Sequence, residues 1–579
     1  MKHGLMFGGF YPRLGNVMFG VPGFETNGTG NAYKSDYFEE IASMALFRSF
    51  GNHKIATYLR KSNWDIECLD YTTEFEWDEI TEYIDSRITE DTVFCGWSVV
   101  FTLAGTSAKH VNRIIKYIRD NYPHVIHIAG GWYGRALQDI DCDYWIMGNG
   151  EFGIEAILKK HTGYADEIQH LHPVTNINGK KGYVIDAVHS KCHQCFPKPD
   201  ANISYEERDG IQPYECLSME LSRGCRFACK YCMYPLIGMK EDTTRDPTSL
   251  YNEMMENYQR WGVENYYLSD DTVNDRPEKM VMLGEVTRKL PFQPFLGGYA
   301  RLDLVINHGR EFGPYGKYEI WDHMIEAGFT AHHYGIETFN HDAGKIIGKG
   351  MHPDKVKDGM LEIEEYFTKR APTAYSGGST FIAGLEKESI ESLYKTQEWV
   401  NKHWTVQRIG MGVLDINHCG HSDFEKFDLS NMSGKLVSGR EVERYSQSNY
   451  KFYSRDDIDH MFFTDELKYF FHLNKKFRNR DYLTDGTIWR HPSDDYDMID
   501  AVEFTQQFIG GRNDMGITGE TCFRMHMPLL VDWGKKRDTE IKKYFQRWPK
   551  KKNPRPVVTH IKKYKEFKLS REWMPENYV

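Results

Sequence analysis

The chain is poor in cysteine, has no excess of positive charge and lacks long apolar runs. Its 11 cysteines, an odd number, are scattered over 579 residues, which excludes a disulfide framework. We find no run of about 18 apolar residues that would predict a membrane-spanning helix. The N-terminus also lacks the basic-then-apolar pattern of a secretory signal. We therefore expect a cytoplasmic protein with no membrane partner.

Acidic residues outnumber basic ones. With 83 Asp and Glu against 72 Lys and Arg, the net charge is -11, which argues against non-specific binding to nucleic acid. A hydrophobic content of 40% with 14% aromatic residues is ample for folding and excludes a disordered class. A chain of 579 residues is too long for one core, so about three domains are expected.

Residues 1–170 alternate apolar runs with helical patterns, which predicts an α/β domain with a parallel, Rossmann-like sheet. The predicted strands are His3–Phe7, Asp65–Asp70, Thr92–Ser98, His124–Gly131 and Tyr144–Glu151. A long helix is predicted from about Ser35 to Lys61, broken near Gly51. Gly-rich turns follow several strands, and open α/β sheets bind cofactors at such turns.

Three cysteines stand close together after the strand-like run 216–222. Cys225, Cys229 and Cys232 have Cys-x3-Cys-x2-Cys spacing. Three thiolates on one loop can hold three irons of a cubane cluster and leave the fourth iron without a protein ligand, as in a catalytic site. A structural zinc would need a fourth Cys or His at short spacing, and none follows Cys232 closely.

Six strand candidates alternate with helices over residues 214–418. They are Leu217–Ser222, Tyr266–Asp271, Phe295–Arg301, Ala331–Glu337, Gly377–Gly384 and Arg408–Ile416. Six such units predict a partial (β/α)6 barrel, an open relative of the TIM barrel, with its chemistry at the carboxyl ends of the strands.

The cysteine loop and the polar strand ends together resemble the radical S-adenosylmethionine (radical SAM) superfamily. The resemblance implies a 4Fe-4S cluster on the three cysteines, with SAM bound at the open iron and cleaved to a 5′-deoxyadenosyl radical. The residues implied in SAM binding are Tyr231, against adenine; Asp270 or Asp271, at the methionine ammonium; Arg301, at its carboxylate or at the substrate; Glu337, in Gly-Ile-Glu-Thr; and Gly384, near adenine.

The turns of the first domain resemble those of the cobalamin-binding subfamily. On that resemblance, the residues that border the corrin or its nucleotide tail are Ser98, Gly130, Gly131, Gly148 and Gly150. The motif that supplies a cobalt-ligating histidine is missing, because its Asp and His positions hold Leu46 and Arg48. His53 is at the wrong offset and is expected at the surface. Cobalamin would then bind without a protein histidine, or the pocket is vestigial.

Two regions carry weaker signals. Residues 171–213 are polar and turn-rich and are expected to be a connector, with Cys192 and Cys195 as free thiols. Residues 419–579 resemble no family and are expected to form a mixed substrate or lid domain. Its Cys419 and Cys522 are candidates for hydrogen donation, against a background in which most isolated cysteines are simply buried.

The resemblance implies hydrogen abstraction from a small-molecule or peptide substrate, with a reducing donor such as flavodoxin or ferredoxin. Cobalamin would direct the reaction toward C-methylation. A cyclisation, rearrangement or oxidation without methyl transfer is the alternative enzyme function. A methylthiotransferase is disfavoured, since the first domain has no cysteine triad of its own. A zinc-stabilised, non-catalytic binding protein is the alternative from another class.

Overall fold

The structure is a computed structural model. It describes residues 2–8, 48–70, 72, 77–98, 106–131, 140–165, 167–168, 171–176, 178–187, 202–211, 216–227, 229–232, 243–306, 314–371, 375–403, 408–414, 451–453 and 488–490. Several expectations therefore lie outside the described residues: the helix start at Ser35, Leu46, Cys192, Cys195, Cys419, Cys522 and most of the expected C-terminal domain.

The first sheet has seven strands in the order β2-β1-β3-β4-β5-β7-β6. The strands are β1 His3–Phe7, β2 Asp65–Leu69, β3 Thr92–Ser98, β4 Ile126–Gly130, β5 Tyr144–Met147, β6 Leu171–Thr175 and β7 Lys181–Asp186. All neighbours pair in parallel except β6, which runs antiparallel to β7. After β1, the chain places β2 on one side of it and then places β3 and the later strands on the other side. The sheet is therefore doubly wound, as predicted.

Helices cover both faces of this sheet. They are α1 Phe50–Lys61, α2 Trp77–Arg87, α3 Thr106–Asn121 and α4 Gly150–His161. Helices α2 and α3 pack on one face, where Ile114, Ile115 and Ile118 of α3 form an apolar stripe at helical spacing. Helices α1 and α4 pack on the other face through residues such as Leu59 and Ile157. Both faces of the sheet are therefore covered by helices, which explains why its strands are nearly continuous apolar runs.

The sheet continues past the expected boundary at residue 170. Strands β6 and β7 form a hairpin within the stretch expected to be a connector, and β7 extends the sheet beside β5. Asn178-Gly179, which indicates a linker turn in the sequence, closes this hairpin, with Gly179 at φ 83°. None of the residues of β6 is buried, and the exposed residues of the hairpin include both polar and apolar side chains, so its strands show no clear alternation in the sequence.

The second sheet has six parallel strands in sequential order, from β8 at one edge to β15 at the other. These strands are β8 Cys216–Met219, β11 Asn265–Leu268, β12 Phe295–Ala300, β13 Phe329–Glu337, β14 Ser376–Ala383 and β15 Arg408–Val413. Two short ladders pair β9 Ser222–Arg223 with β10 Thr243–Thr244, and β16 Lys451–Tyr453 with β17 Ile488–Arg490. The six main strands match those predicted from the sequence to within about three residues.

Helices follow the strands of this sheet as in a partial barrel. They are α5 Pro247–Trp261, α6 Pro277–Thr287, α7 Leu302–Val305, α8 Lys317–Glu326, α9 His341–Ile347, α10 Pro353–Arg370 and α11 Ile390–His403. Helix α5 begins where Asp246 accepts the backbone N–H groups of Thr248 and Ser249, and it ends at Gly262 in a left-handed conformation. Within the described part of the chain, we find no helix with both the length and the apolar character needed to cross a bilayer.

Two glycines that follow helices allow a matched stability test. Gly328, after α8, has φ 75°, and a Cβ there would lie 1.8 Å from the carbonyl oxygen of Pro294. Gly163, after α4, has φ 77° with nothing within 4 Å. We expect Gly163→Ala to lower the free energy of unfolding by about 1–2 kcal/mol, which is the strain of a left-handed backbone at alanine.

Gly328→Ala adds a backbone clash at the start of β12, so we expect it to lower the melting temperature clearly more than Gly163→Ala does. Thermal unfolding followed by circular dichroism makes the comparison. Equal decreases for the two variants would contradict the packing described at Gly328.

Candidate active site

One cavity of about 620 Å³ lies between the two sheets and is lined by the carboxyl ends of both. The first domain contributes Ser98, Gly130, Gly131, Gly148 and Gly150 to its lining. The barrel contributes Cys225, Cys229, Cys232, Tyr231, Asp270, Asp271, Arg301 and Glu337. The structure thus brings together every predicted site residue except Gly384, which does not line the cavity.

Asp270 holds the backbone that leads into the cysteine loop. Its carboxylate accepts the N–H of Leu221 at 2.9 Å, and also the N–H and hydroxyl of Ser222. Lys279 donates to the same hydroxyl at 2.6 Å. Burial raises the pKa of Asp270, against the charge of Lys279. Asp270 therefore positions the loop, while the exposed Asp271 is the carboxylate of this pair that is open to a ligand.

Arg301 lies beside the second cysteine of the loop. Its Nη1 donates to Cys229 Sγ at 3.4 Å, and its guanidinium stacks 3.8 Å from the ring centre of Phe227. Asp303 accepts from Nε and Nη2 at 2.9 and 2.6 Å. Burial disfavours the charge on Arg301, but the Asp303 carboxylate outweighs it and raises the pKa. Arg301 thus places a permanent positive charge next to the sulfur of Cys229.

Tyr231 joins the cysteine loop to the end of β13. Its hydroxyl donates to Glu337 Oε1 at 2.7 Å, and burial together with that carboxylate raises the tyrosine pKa. Lys349 reaches the same oxygen at 3.6 Å and donates to the Gly335 carbonyl at 2.7 Å. Glu337 has φ 72°, at a point where the register of β13 against β14 shifts. This left-handed turn carries the carboxylate into the cavity lining.

Gly384 lies in a turn after β14 at φ 100°. The turn is held by Glu388, which is buried and accepts the Thr338 hydroxyl at 2.8 Å as well as the backbone N–H groups of Gly384 and Leu385. Burial raises the pKa of Glu388 to about 8. Sequence reasoning did not find this carboxyl group, because 50 residues, including α9, α10 and β14, separate it from Thr338.

The edge of the first sheet offers close backbone approach and one unpaired donor. Gly131 and Gly148 have φ of 148° and 97°, and a Cβ on Gly130 would meet nothing within 4 Å. Asn52 lines the cavity at 1% exposure, and its Nδ2 has no hydrogen-bond partner among the described residues. A ligand with hydrogen-bond acceptors would satisfy this amide.

A buried cluster of four charges joins the first domain to the barrel. Arg223, just before the cysteine loop, pairs with Glu151 of α4 at 2.5 Å and with Glu220 at 2.9 Å. Lys54 of α1 also pairs with Glu220. Burial and the nearby Arg223 lower the pKa of Lys54. Sequence analysis missed this cluster, since Lys54, Glu151 and the pair of Glu220 and Arg223 are far apart in the chain and each resembles an ordinary surface charge.

His53 is not at the surface, so that expectation is wrong. It is 1% exposed, and its Nε2 lies 2.7 Å from Asp70 Oδ2. Arg48, at the position of the absent histidine, also donates to Asp70 at 3.0 Å and to the carbonyl oxygens of Asp209 and Gly210. Asp70 thus holds the first turn of α1. A histidine buried at this position needs such a partner, because an unpaired buried polar group is unfavourable.

The cysteine loop places three sulfurs at one wall of the cavity, since Cys225, Cys229 and Cys232 all line it. The described lining holds no further Cys and no His. Structural zinc sites take four protein ligands, whereas three thiolates suit a cluster with one open iron.

Residues 219–400, from the end of β8 to α11, match the model of the Radical SAM superfamily. The barrel is a radical SAM domain. The chain is also 25% identical over 134 residues to an uncharacterized methyltransferase, sll1242, of Synechocystis sp.. That match spans 22% of this chain and only 23% of the relative.

Solved structures extend the likeness beyond the radical SAM domain. OxsB, a cobalamin-dependent S-adenosylmethionine radical enzyme solved with aqua-cobalamin and S-adenosylmethionine bound, aligns with a TM-score of 0.53 at 12% identity, covering 99% of this chain and 71% of its own. The methyltransferase TsrM from Kitasatospora setae aligns with a TM-score of 0.48 at 14% identity, covering 72% and 74%. The fold shared with OxsB includes both the sheet of the first domain and the barrel.

Glu388 of the radical SAM domain predicts a pH dependence of stability. Its pKa is raised from 4.5 to about 8, so the unfolded chain ionises first as pH rises. Stability is therefore lost between pH 5 and 8. We expect the melting temperature of Glu388→Gln to rise relative to wild type across this window. Glu391→Gln, at an exposed carboxylate, should follow wild type. A constant difference for Glu388→Gln would contradict the raised pKa.

Proposed function

We propose that this chain is a radical SAM enzyme that holds a 4Fe-4S cluster on Cys225, Cys229 and Cys232 and methylates a carbon of its substrate with the help of cobalamin. One observation carries the proposal: the three cysteines and the Gly-rich edge of the first sheet line the same cavity. The fold shared with OxsB supports it. Bound there, the cluster with SAM supplies a carbon-centred radical, and cobalamin supplies a methyl group.

The barrel residues fit the first part of this proposal. Cys225 and Cys232 are partly exposed to the cavity, and Cys229 has a cationic neighbour in Arg301. Asp271 and Glu337 offer carboxylates to an ammonium or to ribose hydroxyls, and Tyr231 offers an aromatic face to a base. Asp271 and Glu337 lie at strand ends, and Tyr231 is held by its hydrogen bond to Glu337, so the protein contributes orientation and exclusion of water.

The first domain fits the second part. Gly130, Gly131 and Gly148 let a flat macrocycle approach the backbone, and the unpaired Asn52 amide can donate to its side groups or nucleotide tail. No histidine lines the described part of the cavity. In our proposal these residues hold the corrin by shape and hydrogen bonds.

We propose the substrate and the electron donor as chemical classes. Radical SAM enzymes in general act on small molecules and take electrons from a reducing protein. In our proposal the substrate enters between the sheet edge and the barrel mouth. Its reacting carbon would lie near Tyr267 and Tyr299, which line the cavity on the barrel side.

Alanine variants of the loop cysteines test the cluster. After anaerobic reconstitution, wild type should hold about four irons per chain and release 5′-deoxyadenosine from SAM. Each of Cys225→Ala, Cys229→Ala and Cys232→Ala should lose most of its iron and at least a hundredfold in SAM cleavage. Cys95→Ala, in β3, should keep both. Iron and SAM cleavage unchanged in any loop variant would refute the proposal.

Corrinoid retention tests the methyl transfer. Protein produced with cobalamin should carry about one corrinoid per chain, measured by visible absorbance, and Gly131→Leu should lose it because the new side chain fills the cradle. Gly163→Leu, on the opposite part of the domain surface, is the control. A wild-type protein that cleaves SAM but holds no corrinoid would instead support a cyclisation, rearrangement or oxidation.

A further inference from the structure

Away from the cavity, three potential metal ligands converge in the first domain. His53 of α1, Cys68 of β2 and Asp209 of the segment before the barrel bring one ligand atom each within 4.8 Å of one another. All three side chains are buried, at 1% exposure each. They come from parts of the chain separated by up to about 156 residues, so the fold alone assembles them.

The ligand atoms have little competition for a metal. His53 Nδ1 has no partner with full hydrogen-bond geometry among the described residues, and it interacts with the Cys68 thiol, which is the neighbouring ligand. Asp209 Oδ1 also has no partner there, while its Oδ2 accepts from the backbone of Glu206 at 2.7 Å and from Arg60 at 3.3 Å. Two buried acceptors without other partners thus lie beside one thiol, and a bound cation would satisfy them.

The second ring nitrogen of His53 is already oriented for metal binding. Nε2 lies 2.7 Å from Asp70 Oδ2, and Asp70 is itself held by Arg48 and by the backbone N–H of Ser49. A carboxylate on the far side of the imidazole fixes the tautomer that leaves Nδ1 free to coordinate, as in carboxylate–histidine–zinc arrangements. This contact is independent of the three ligands and indicates the same use.

The donor set selects the metal. One thiolate, one imidazole and one carboxylate suit zinc and disfavour magnesium or calcium, which take oxygen ligands. Binding would displace the thiol proton of Cys68 to solvent, and the ion would carry the charge that the buried thiolate and Asp209 then require. Bond lengths of about 2.0–2.3 Å are reached from the present spacing by small side-chain movements.

We propose that His53, Cys68 and Asp209, with a water molecule as the fourth ligand, bind a single zinc ion that fastens the segment 202–211 to the first domain. That segment already contacts both halves of the protein. Ser204 binds Thr57 of α1 through its backbone N–H at 3.1 Å and Glu256 of α5 through its hydroxyl at 2.6 Å. Zinc there would stabilise the orientation of the sheet edge over the barrel. The site is distinct from the cysteine loop and does not rest on the proposed function.

Metal analysis of the full-length, cluster-reconstituted protein tests this. After incubation with Zn²⁺ and gel filtration, wild type and Cys95→Ser should hold one zinc per chain, while Cys68→Ser should lose at least tenfold. Iron should be equal in all three, which separates this site from the cluster. Cys225→Ala should keep the zinc. Less than a tenth of a zinc in wild type, or equal zinc in Cys68→Ser, overturns the proposal.

A second measurement covers a variant that fails to fold. Removing zinc from wild type with a chelator should lower its melting temperature, and Zn²⁺, but not Mg²⁺, should restore it. Cobalt(II) in place of zinc should give the thiolate-to-metal absorbance band of a Cys68 ligand. If neither chelator nor Zn²⁺ changes the melting temperature and no cobalt band appears, the zinc site is refuted. A proton on His53 would then occupy the place proposed for the metal.

Discussion

The buried ion pair between Glu151 and Arg223 is the contact on which the cavity depends. Arg223 lies two residues before Cys225, and Glu151 lies in the first turn of α4, directly after the Gly148 turn. This salt bridge, together with the pair of Lys54 and Glu220, connects the two walls of the cavity. Breaking a buried pair leaves an unpaired charge and costs about 3–5 kcal/mol. The separation of the sheet edge and the cysteine loop is therefore set by electrostatics as well as by packing.

Both domains obey the same rule of parallel sheets, and their combination makes the site. Each sheet presents its carboxyl ends, with turns and polar side chains, to one side. Here the two carboxyl edges face each other across a single cavity. A molecule bound on the first domain is thereby brought to the mouth of the barrel. Neither domain alone would enclose a reaction that must exclude water.

The sequence predicts the elements whose periodicity is strong and misses contacts between distant residues. The barrel strands and β1 to β5 were recognisable because buried parallel strands are continuous apolar runs. The hairpin of β6 and β7 was not, because the residues of β6 are not buried and the strands show no clear apolar alternation. The cysteine spacing predicted three residues that line the cavity. The pairing of His53 with Asp70, the capture of the loop backbone by Asp270 and the charges around Arg223 depend on tertiary structure, which no local pattern encodes.

The backbone of Glu337 is strained, and interactions elsewhere in the barrel must compensate for this strain. A residue other than glycine at φ 72° is strained by an amount on the order of 1–3 kcal/mol. Glycine would relieve this strain but would remove the carboxylate that meets Tyr231 and Lys349. Fold stability and the presence of a carboxylate in the cavity lining thus make opposing demands on this position. Under laboratory selection for thermal resistance alone, we expect glycine to replace Glu337 at the expense of that carboxylate.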